Sequence, residues 1–198
     1  FYNYSRSLTK DFFDSKALDA IINDPSKDKK LIITGHSMSA AMAQIIAMDI
    51  GHYFASLGKN IPIEVLASGT PRSGNEQFVN ELTKDIKVAV SRFNYFETEK
   101  TTYVQDIDPI SCFPTYKDSF RSAGNLVLVA PNNFLVPDEQ QDTSYNNCSV
   151  PVSLKNPLYS AQTIYGYLNQ HLPKTYESRY KIIDKKIAKE CNSSTNSN

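Results

Sequence analysis

The sequence predicts an α/β fold, in which a mainly parallel sheet is flanked by helices. Short apolar segments typical of buried strands alternate with longer segments whose apolar residues recur at helical spacing. The clearest case starts at the apolar run Leu31–Ile33, which ends at Gly35. Beyond it, Ala40, Ala43 and Ala47 share one helical face, so a strand is followed directly by a helix.

Turn residues separate the predicted elements. Asn23-Asp-Pro-Ser26 ends the first helix, and Gly58-Lys-Asn60 forms a loop before the next strand. The predicted strands are Leu31–Ile33, Ile61–Ala67, Thr101–Gln105 and Gly124–Ala130, with a further apolar segment at Val88–Phe96. The predicted helices are Ser7–Ile22, one beyond Ser37 that ends near Tyr53 or Leu57, Asn75–Leu82, one from Asn156-Pro157 to about Asn169, and Lys174–Lys189.

Ser37 lies at the corner between the first predicted strand and its helix. Gly35 precedes it by two residues and small residues follow it, as in the nucleophile elbow Gly-x-Ser-x-Gly, although the closing glycine is Ser39 here. Such a turn strains the serine backbone and exposes the hydroxyl, and the helix N-terminal amides point to where an oxyanion would form. Ser37 is therefore our candidate nucleophile; the alternative is a serine that only caps the helix.

A serine nucleophile needs a base, and the chain has three histidines. His36 adjoins Ser37 in the turn and would face away from the hydroxyl. His52 lies about four turns along the helix, too far from its N-terminus. A lone loop histidine is more often a surface residue than a base, but elimination leaves His171, provided that the base lies on this chain.

The base in turn needs a carboxylate that fixes its tautomer. Asp106 and Asp108 both follow the predicted strand Thr101–Gln105, and catalytic loops of open α/β sheets lie at the carboxyl ends of strands. The alternative for these residues is turn chemistry alone. The chain order Ser, Asp, His is the order found in α/β-hydrolases.

Four segments resemble the fungal-type class 3 lipases, an α/β-hydrolase family. They are Thr34-Gly-His-Ser-Met38, Ser68-Gly-Thr-Pro-Arg-Ser-Gly-Asn75, Asp108-Pro-Ile followed by Phe113-Pro114, and the late His171. The Pro-Arg-x-Gly-Asn match is the most specific, because general hydrolase mechanics do not require it. The resemblance runs from about Phe1 to Tyr176.

This resemblance implies roles for individual residues. Ser37 would be the nucleophile, His171 the base and Asp108, rather than Asp106, the acid. The backbone N–H of Met38 would stabilise the oxyanion. The implied reaction is hydrolysis of lipid carboxylic esters through an acyl-enzyme on Ser37, without a metal or another cofactor.

The sequence also departs from the family pattern. Ser39 and Ala40 replace a glycine pair, and Ser68 replaces a phenylalanine. In the family, a second oxyanion donor, the lid and N-terminal strands precede the segment that this chain matches, so we expect the chain to be the C-terminal portion of such a domain. We assign residues 1–190 to one partial α/β-hydrolase domain and residues 191–198 to a polar tail that we expect to be disordered.

Charge and hydropathy limit the partners. Lys plus Arg and Asp plus Glu both number 21, so no basic field favours nucleic acid. No apolar run approaches the roughly 20 residues that span a bilayer. The expected partner is a lipid or other ester substrate, at a lipid–water interface.

Cysteines and sequons bear on the compartment. The three cysteines leave at least one thiol unpaired within the chain, and a Cys148–Cys191 bridge is one option. Three Asn-x-Ser sequons, at Asn3, Asn147 and Asn192, favour secretion or a secretory compartment.

The substrate within the ester class is open at this stage. Apolar residues near the predicted mouth of the site favour a lipidic acyl chain; these are Phe113, Phe134, Leu135 and Val136. Acylglycerols, phospholipids and feruloyl esters are the alternatives that the resemblance allows. The polar, aperiodic segment Asn132–Val150 predicts a mobile flap. Two further hypotheses are a catalytically impaired relative that binds lipid or a protein, and an acyltransferase on the same fold.

Overall fold

The computed structural model describes residues 2–14, 16–26, 28–95, 108–114, 119–129, 134–135 and 171–195. The helices within these ranges are α1 (Tyr2–Asp14), α2 (Ala17–Asn23), α3 (Met38–Ser56), α4 (Glu76–Asn80) and α5 (Pro173–Thr195). The strands are β1 (Leu31–His36), β2 (Ile63–Ser68), β3 (Gly74–Asn75), β4 (Ala89–Tyr95), β5 (Phe120–Arg121), β6 (Asn125–Val129) and β7 (Phe134–Leu135). A π-helical turn, Glu81–Asp85, continues α4, and a 3₁₀ turn spans Pro109–Cys112.

The main sheet has the strand order β1-β2-β4-β6-β7. Its first three pairs are parallel and the pair β6-β7 is antiparallel, while β3 and β5 form a separate antiparallel pair. The register sets His36 beside Ser68, and Ser68 beside Phe93. The carboxyl ends of β1, β2 and β4 therefore meet at one edge of the sheet. The predicted mainly parallel α/β fold is confirmed.

One face of this sheet carries the larger core. Alternate residues of β2 point to it, because successive side chains of a strand lie on opposite faces. The small residues of α3 let that helix pack closely against the strands. The buried members of this core are Leu18, Ala40, Ala43, Ala47, Ile50, Phe54, Ile61, Ile63, Val65, Ala67, Leu82, Val88, Val90 and Ala123.

The opposite face is covered by α5. Tyr176 and Ile183 of that helix are buried with Tyr95 and Val129, and Phe93 and Tyr180 pack against this cluster. Because His36 and Ser68 share a register row with Phe93, their side chains lie on the same face as α5.

The prediction of one continuous N-terminal helix over Ser7–Ile22 was wrong. Lys16 adopts a left-handed conformation with φ of 57°, and the chain turns there between α1 and α2. The carbonyl of Lys16 accepts from the amides of Asp19 and Ala20, so α2 starts as a new helix. The turn allows Leu18 to be buried in the larger core.

The last third departs from the expectations in two places. Phe134–Leu135 forms β7, which pairs with Leu128 and Val129. The prediction of an aperiodic loop over Asn132–Val150 was therefore wrong at these two residues. Helix α5 continues to Thr195, five residues into the segment expected as a disordered tail. The predicted strand Thr101–Gln105, the helix after Asn156-Pro157 and the rest of the predicted flap lie outside the described residues. The division into one domain and a tail stays a prediction.

None of the helices in the described part of the chain combines the length and the apolar composition that crossing a bilayer requires.

The packing of the π-helical turn yields a prediction. Leu82 on that turn is 0% exposed in the larger core, whereas Leu57 at the end of α3 is 45% exposed. We expect Leu82→Ala to lower the free energy of unfolding by about 2–5 kcal/mol, because it leaves a cavity. The matched control Leu57→Ala should change it by about 0.5 kcal/mol or less. Urea unfolding of both variants checks this, and equal losses would contradict the packing described.

Candidate active site

Ser37 occupies a strained turn between β1 and α3. Its φ of 57° and ψ of −130° lie in a region that residues with a side chain rarely adopt. The turn needs Gly35, because a Cβ there would lie 2.5 Å from the backbone oxygen of Ser39. The backbone N–H of Ser37 donates to the Ser68 carbonyl at 3.0 Å, which ties the turn to β2.

Ser39 fits the turn without a closing glycine. Its Oγ donates to the carbonyl of His36 at 2.7 Å and accepts from the His36 backbone N–H at 3.0 Å. The side chain therefore folds back onto the turn. This departure from the Gly-x-Ser-x-Gly pattern leaves the strained geometry of Ser37 intact.

The structure brings Ser37, His171 and Asp108 together, although they lie far apart in the sequence. The Ser37 Oγ is 2.7 Å from Nε2 of His171, and Nδ1 of His171 is 2.8 Å from Oδ2 of Asp108. Since the carboxylate accepts the Nδ1 proton, Nε2 is free to accept the proton of the serine hydroxyl. The side chain of Asp108 is 0% exposed and that of His171 is 13% exposed. Asp106, the other carboxylate considered, lies outside the described residues.

Asp108 has hydrogen-bond donors on both carboxylate oxygens. Oδ1 accepts from the backbone N–H of Ile110 at 2.9 Å, and Oδ2 accepts from the Tyr176 hydroxyl at 2.6 Å as well as from His171. The Asp108 backbone N–H donates to the Tyr95 carbonyl at 3.0 Å. These donors replace the hydration that a buried carboxylate loses, and they hold Asp108 in place beside His171.

Tyr176 is a site residue that the sequence did not indicate. Its hydroxyl accepts from the backbone N–H of Tyr95 at 2.8 Å while it donates to Asp108. Burial, followed by the negative charge of Asp108, raises the pKa of Tyr176 well above its usual value. Tyr176 therefore remains a donor across the neutral pH range. Its place in the last helix carries no local signal of this role.

Comparison with known proteins decides the family. The model of the lipase (class 3) family matches residues 3–116, more than half of the chain. The chain belongs to the class 3 lipase family. Over 73 residues it is 37% identical to phospholipase A1-Igamma2, chloroplastic, of Arabidopsis thaliana, a stretch that covers 35% of this chain and 14% of the plant protein.

Two solved lipase structures are similar to part of this chain at low sequence identity. Lipase II from Rhizopus niveus is 18% identical, with a TM-score of 0.49, over 65% of this chain and 43% of that one. A triacylglycerol lipase from Penicillium expansum is 13% identical, with a TM-score of 0.46, over 74% of this chain and 51% of that one. The chain thus spans a small part of the plant protein and about half or less of these two lipases.

The lipase-family segment Ser68–Asn75 passes close to Asp108 and His171. Gly69 has a φ of +54°, and a Cβ on it would lie 2.8 Å from Oδ2 of Asp108 and 3.1 Å from the ring of His171. Glycine is therefore required at this position on two grounds, the backbone conformation and the close approach.

Arg72 explains the most specific part of the family motif. Its side chain is buried, and Nη1 donates to the carbonyls of Cys112 at 2.6 Å and Pro114 at 2.7 Å. The Arg72 backbone N–H donates to the carbonyl of Phe113 at 2.6 Å. The motif residue thus fixes the segment that directly follows Asp108. The sequence pattern identified the motif but gave no indication of this role of Arg72.

Cys112 in the same segment forms a disulfide bond. Because the chain has three cysteines, this bond leaves no pair for a Cys148–Cys191 bridge. The bridge considered from the sequence was therefore wrong. The disulfide gives the turn after Asp108 a covalent attachment beside its hydrogen bonds to Arg72.

Three exposed apolar side chains follow the candidate site residues in the sequence. Met38 directly follows Ser37, Leu172 directly follows His171, and Phe113 lies five residues after Asp108; all three are exposed. The Met38 amide is also one of the first N–H groups of α3, next to Ser37. The side chains of Phe134, Leu135 and Val136 lie outside the described part of the structure. No cluster of His, Cys, Asp and Glu among the described residues could hold a metal ion.

The buried contact between Tyr176 and Asp108 yields a prediction. We expect Tyr176→Phe to lower the free energy of unfolding at pH 7 by about 1–3 kcal/mol, since the carboxylate loses a donor. The pKa of Tyr176 is raised in the folded state, so the unfolded state releases this proton first as the pH rises above about 10. Wild-type stability should therefore fall there, and its advantage over the variant should narrow. Urea unfolding from pH 7 to pH 11 checks both parts; an unchanged stability at pH 7 or a constant difference would contradict them.

Proposed function

We propose that this protein hydrolyses carboxylic esters of lipids through an acyl-enzyme on Ser37. The observation that carries the proposal is the chain of two hydrogen bonds from Ser37 through His171 to Asp108, at a strained strand–helix turn. Membership of the class 3 lipase family supports the same class of reaction.

The proposed reaction proceeds in two halves. His171 Nε2 takes the hydroxyl proton while the Ser37 Oγ attacks the ester carbonyl carbon, and the alcohol then leaves with that proton. Water attacks the acyl-enzyme in the second half and its proton passes through His171, which releases the carboxylic acid. Asp108 accepts the Nδ1 proton throughout and stabilises the imidazolium. The Met38 amide donates to the oxyanion, an interaction typically worth about 10²–10³ in rate.

The surroundings of the site favour a lipid substrate. An exposed apolar side chain follows each site residue in the sequence; these are Met38, Phe113 and Leu172, and they would contact an acyl chain rather than a polar group. We propose acylglycerols as the first substrate class. Phospholipids are the second candidate, because the 37% identical plant relative is named as a phospholipase A1.

The hydrogen-bond geometry also bears on the hypothesis of a catalytically impaired relative. Such a relative would keep the fold without a need for an aligned serine, histidine and carboxylate. The described alignment, together with the buried donors on Asp108, supports an active hydrolase instead. An acyltransferase would use the same three residues and differs only in the acceptor alcohol.

The disulfide of Cys112 supports a proposal about the compartment. We propose that the protein matures in an oxidising, secretory compartment, because disulfides persist there and are rare in the cytosol. The three sequons support the same assignment.

A fluorescent phosphonate that reacts with activated serines tests the proposal on the full-length protein. We expect the wild type to be labelled, and Ser37→Ala and His171→Ala to lower the labelling rate by at least about 10³-fold. Ser56→Ala and His52→Ala are matched controls, since both residues lie on α3 away from the site. Their labelling should equal that of the wild type.

A folded wild type without labelling would contradict the proposal, as would labelling that survives Ser37→Ala. Acid release from triacylglycerol emulsions and from phospholipid vesicles then ranks the two substrate classes. Addition of a primary alcohol separates hydrolysis from acyl transfer, because a transferase would convert the acyl group into a new ester.

A further inference from the structure

His36 contacts the candidate base from the turn that carries the nucleophile. It is the last residue of β1 and directly precedes Ser37. Its Nε2 lies 2.8 Å from the backbone carbonyl oxygen of His171, and its Nδ1 lies 3.2 Å from the Ser68 Oγ. From the sequence we expected that this ring faces away from the serine hydroxyl.

These two contacts define the tautomer of His36. A carbonyl oxygen only accepts, so Nε2 must carry the proton that it donates to His171. In the neutral ring Nδ1 then accepts, and the Ser68 hydroxyl is the donor at hand. The other acceptor near this hydroxyl, the Gly35 carbonyl, is more distant at 3.4 Å. Ser68 therefore selects the tautomer in which His36 donates to His171.

The ring of His36 also limits the movement of the His171 ring. The two rings are stacked, with centroids 4.9 Å apart and planes 27° from parallel. Tyr176 meets the ring of His36 edge-on, with centroids 5.3 Å apart. His171 is thus held at its backbone oxygen and at one face of its ring by a single side chain.

A neutral His36 suits this position. During the proposed reaction His171 becomes a cation, and a second positive charge in the stacked ring would oppose that step. Burial, and then the charge of His171, lower the pKa of His36. The partly buried position of His36 beside Tyr176 therefore keeps it a neutral donor.

We propose that His36 is a positioning residue: held by Ser68 as the Nε2–H tautomer, it fixes the backbone and ring of His171 so that Nε2 stays directed at the Ser37 Oγ. This inference rests on the proposed function. Because His36 is bonded covalently to Ser37, the nucleophile and its base are held in one frame. The link uses Ser68, one of the positions at which this chain departs from the family pattern.

The test compares His36→Ala, His36→Gln and Ser68→Ala with the wild type and the control His52→Ala. It uses a soluble short-chain p-nitrophenyl ester and the rate of the phosphonate reaction on the full-length protein. We expect His36→Ala to lower kcat and the phosphonate rate by about 10²-fold, with KM changed by about threefold or less, because a base misplaced by an ångström loses about that factor. His36→Gln should recover most of this loss, since its amide nitrogen can donate to the same carbonyl.

Ser68→Ala leaves the ring in place but removes the donor to Nδ1, so an intermediate loss is expected. Nitrogen-15 NMR of the histidine rings should show the Nε2–H tautomer of His36 in the wild type and a mixture of tautomers in Ser68→Ala. If His36→Ala does not fold, as judged by its thermal midpoint, the other two variants still decide the matter.

Three results would overturn the inference. In the first, the wild type reacts with the phosphonate and His36→Ala reacts at the same rate; the proposed function then stands without a role for His36. In the second, His36→Gln is as slow as His36→Ala while Ser68→Ala is unchanged, which makes ring packing the only role. In the third, the folded wild type does not react at all, which removes the proposed function and the role of His36 with it.

Discussion

A buried carboxylate is the constraint on which the described site depends. Removing an ion from water costs several kcal/mol in a protein interior unless hydrogen bonds replace the lost hydration. Asp108 is fully buried and receives donors from the turn that follows it, from His171 and from Tyr176 of α5. Since these donors belong to separate elements, the carboxylate joins the 3₁₀ turn to the start of α5, and the backbone N–H of Asp108 ties both to the end of β4 through the Tyr95 carbonyl. The orientation of the His171 ring toward Ser37 follows from that arrangement.

The parallel sheet brings the remaining parts to the same edge. β1 and β2 end in register at His36 and Ser68, so the turn that exposes Ser37 and the segment that contains Gly69 and Arg72 start side by side. Gly69 lets the second segment pass close to the carboxylate of Asp108 and the imidazole of His171. Arg72 then holds the chain beyond Asp108 through backbone carbonyls. The segment Ser68–Asn75 therefore contacts both Asp108 and the residues that follow it.

The sequence predicted those parts of the site that have a local signal. The elbow around Ser37 shows a change of period and a necessary glycine, and His171 remained after elimination of two other histidines. The contacts of Tyr176 with Tyr95 and of Arg72 with Cys112 could not be predicted, because they join residues 81 and 40 positions apart and follow no periodicity. The break at Lys16 was missed for another reason: the apolar spacing continues across it, so the sequence pattern gives no sign of the turn.

The central claim is that Ser37, His171 and Asp108 act as one unit with the Met38 amide. A crystal structure of the full-length protein after reaction with a phosphonate ester tests this claim most directly. The account predicts phosphorus bonded to the Ser37 Oγ and a phosphonyl oxygen about 2.7–3.1 Å from the Met38 nitrogen, with His171 still bonded to Asp108. Phosphorus on another side chain, or an adduct on Ser37 whose oxygen points away from the start of α3, would contradict it.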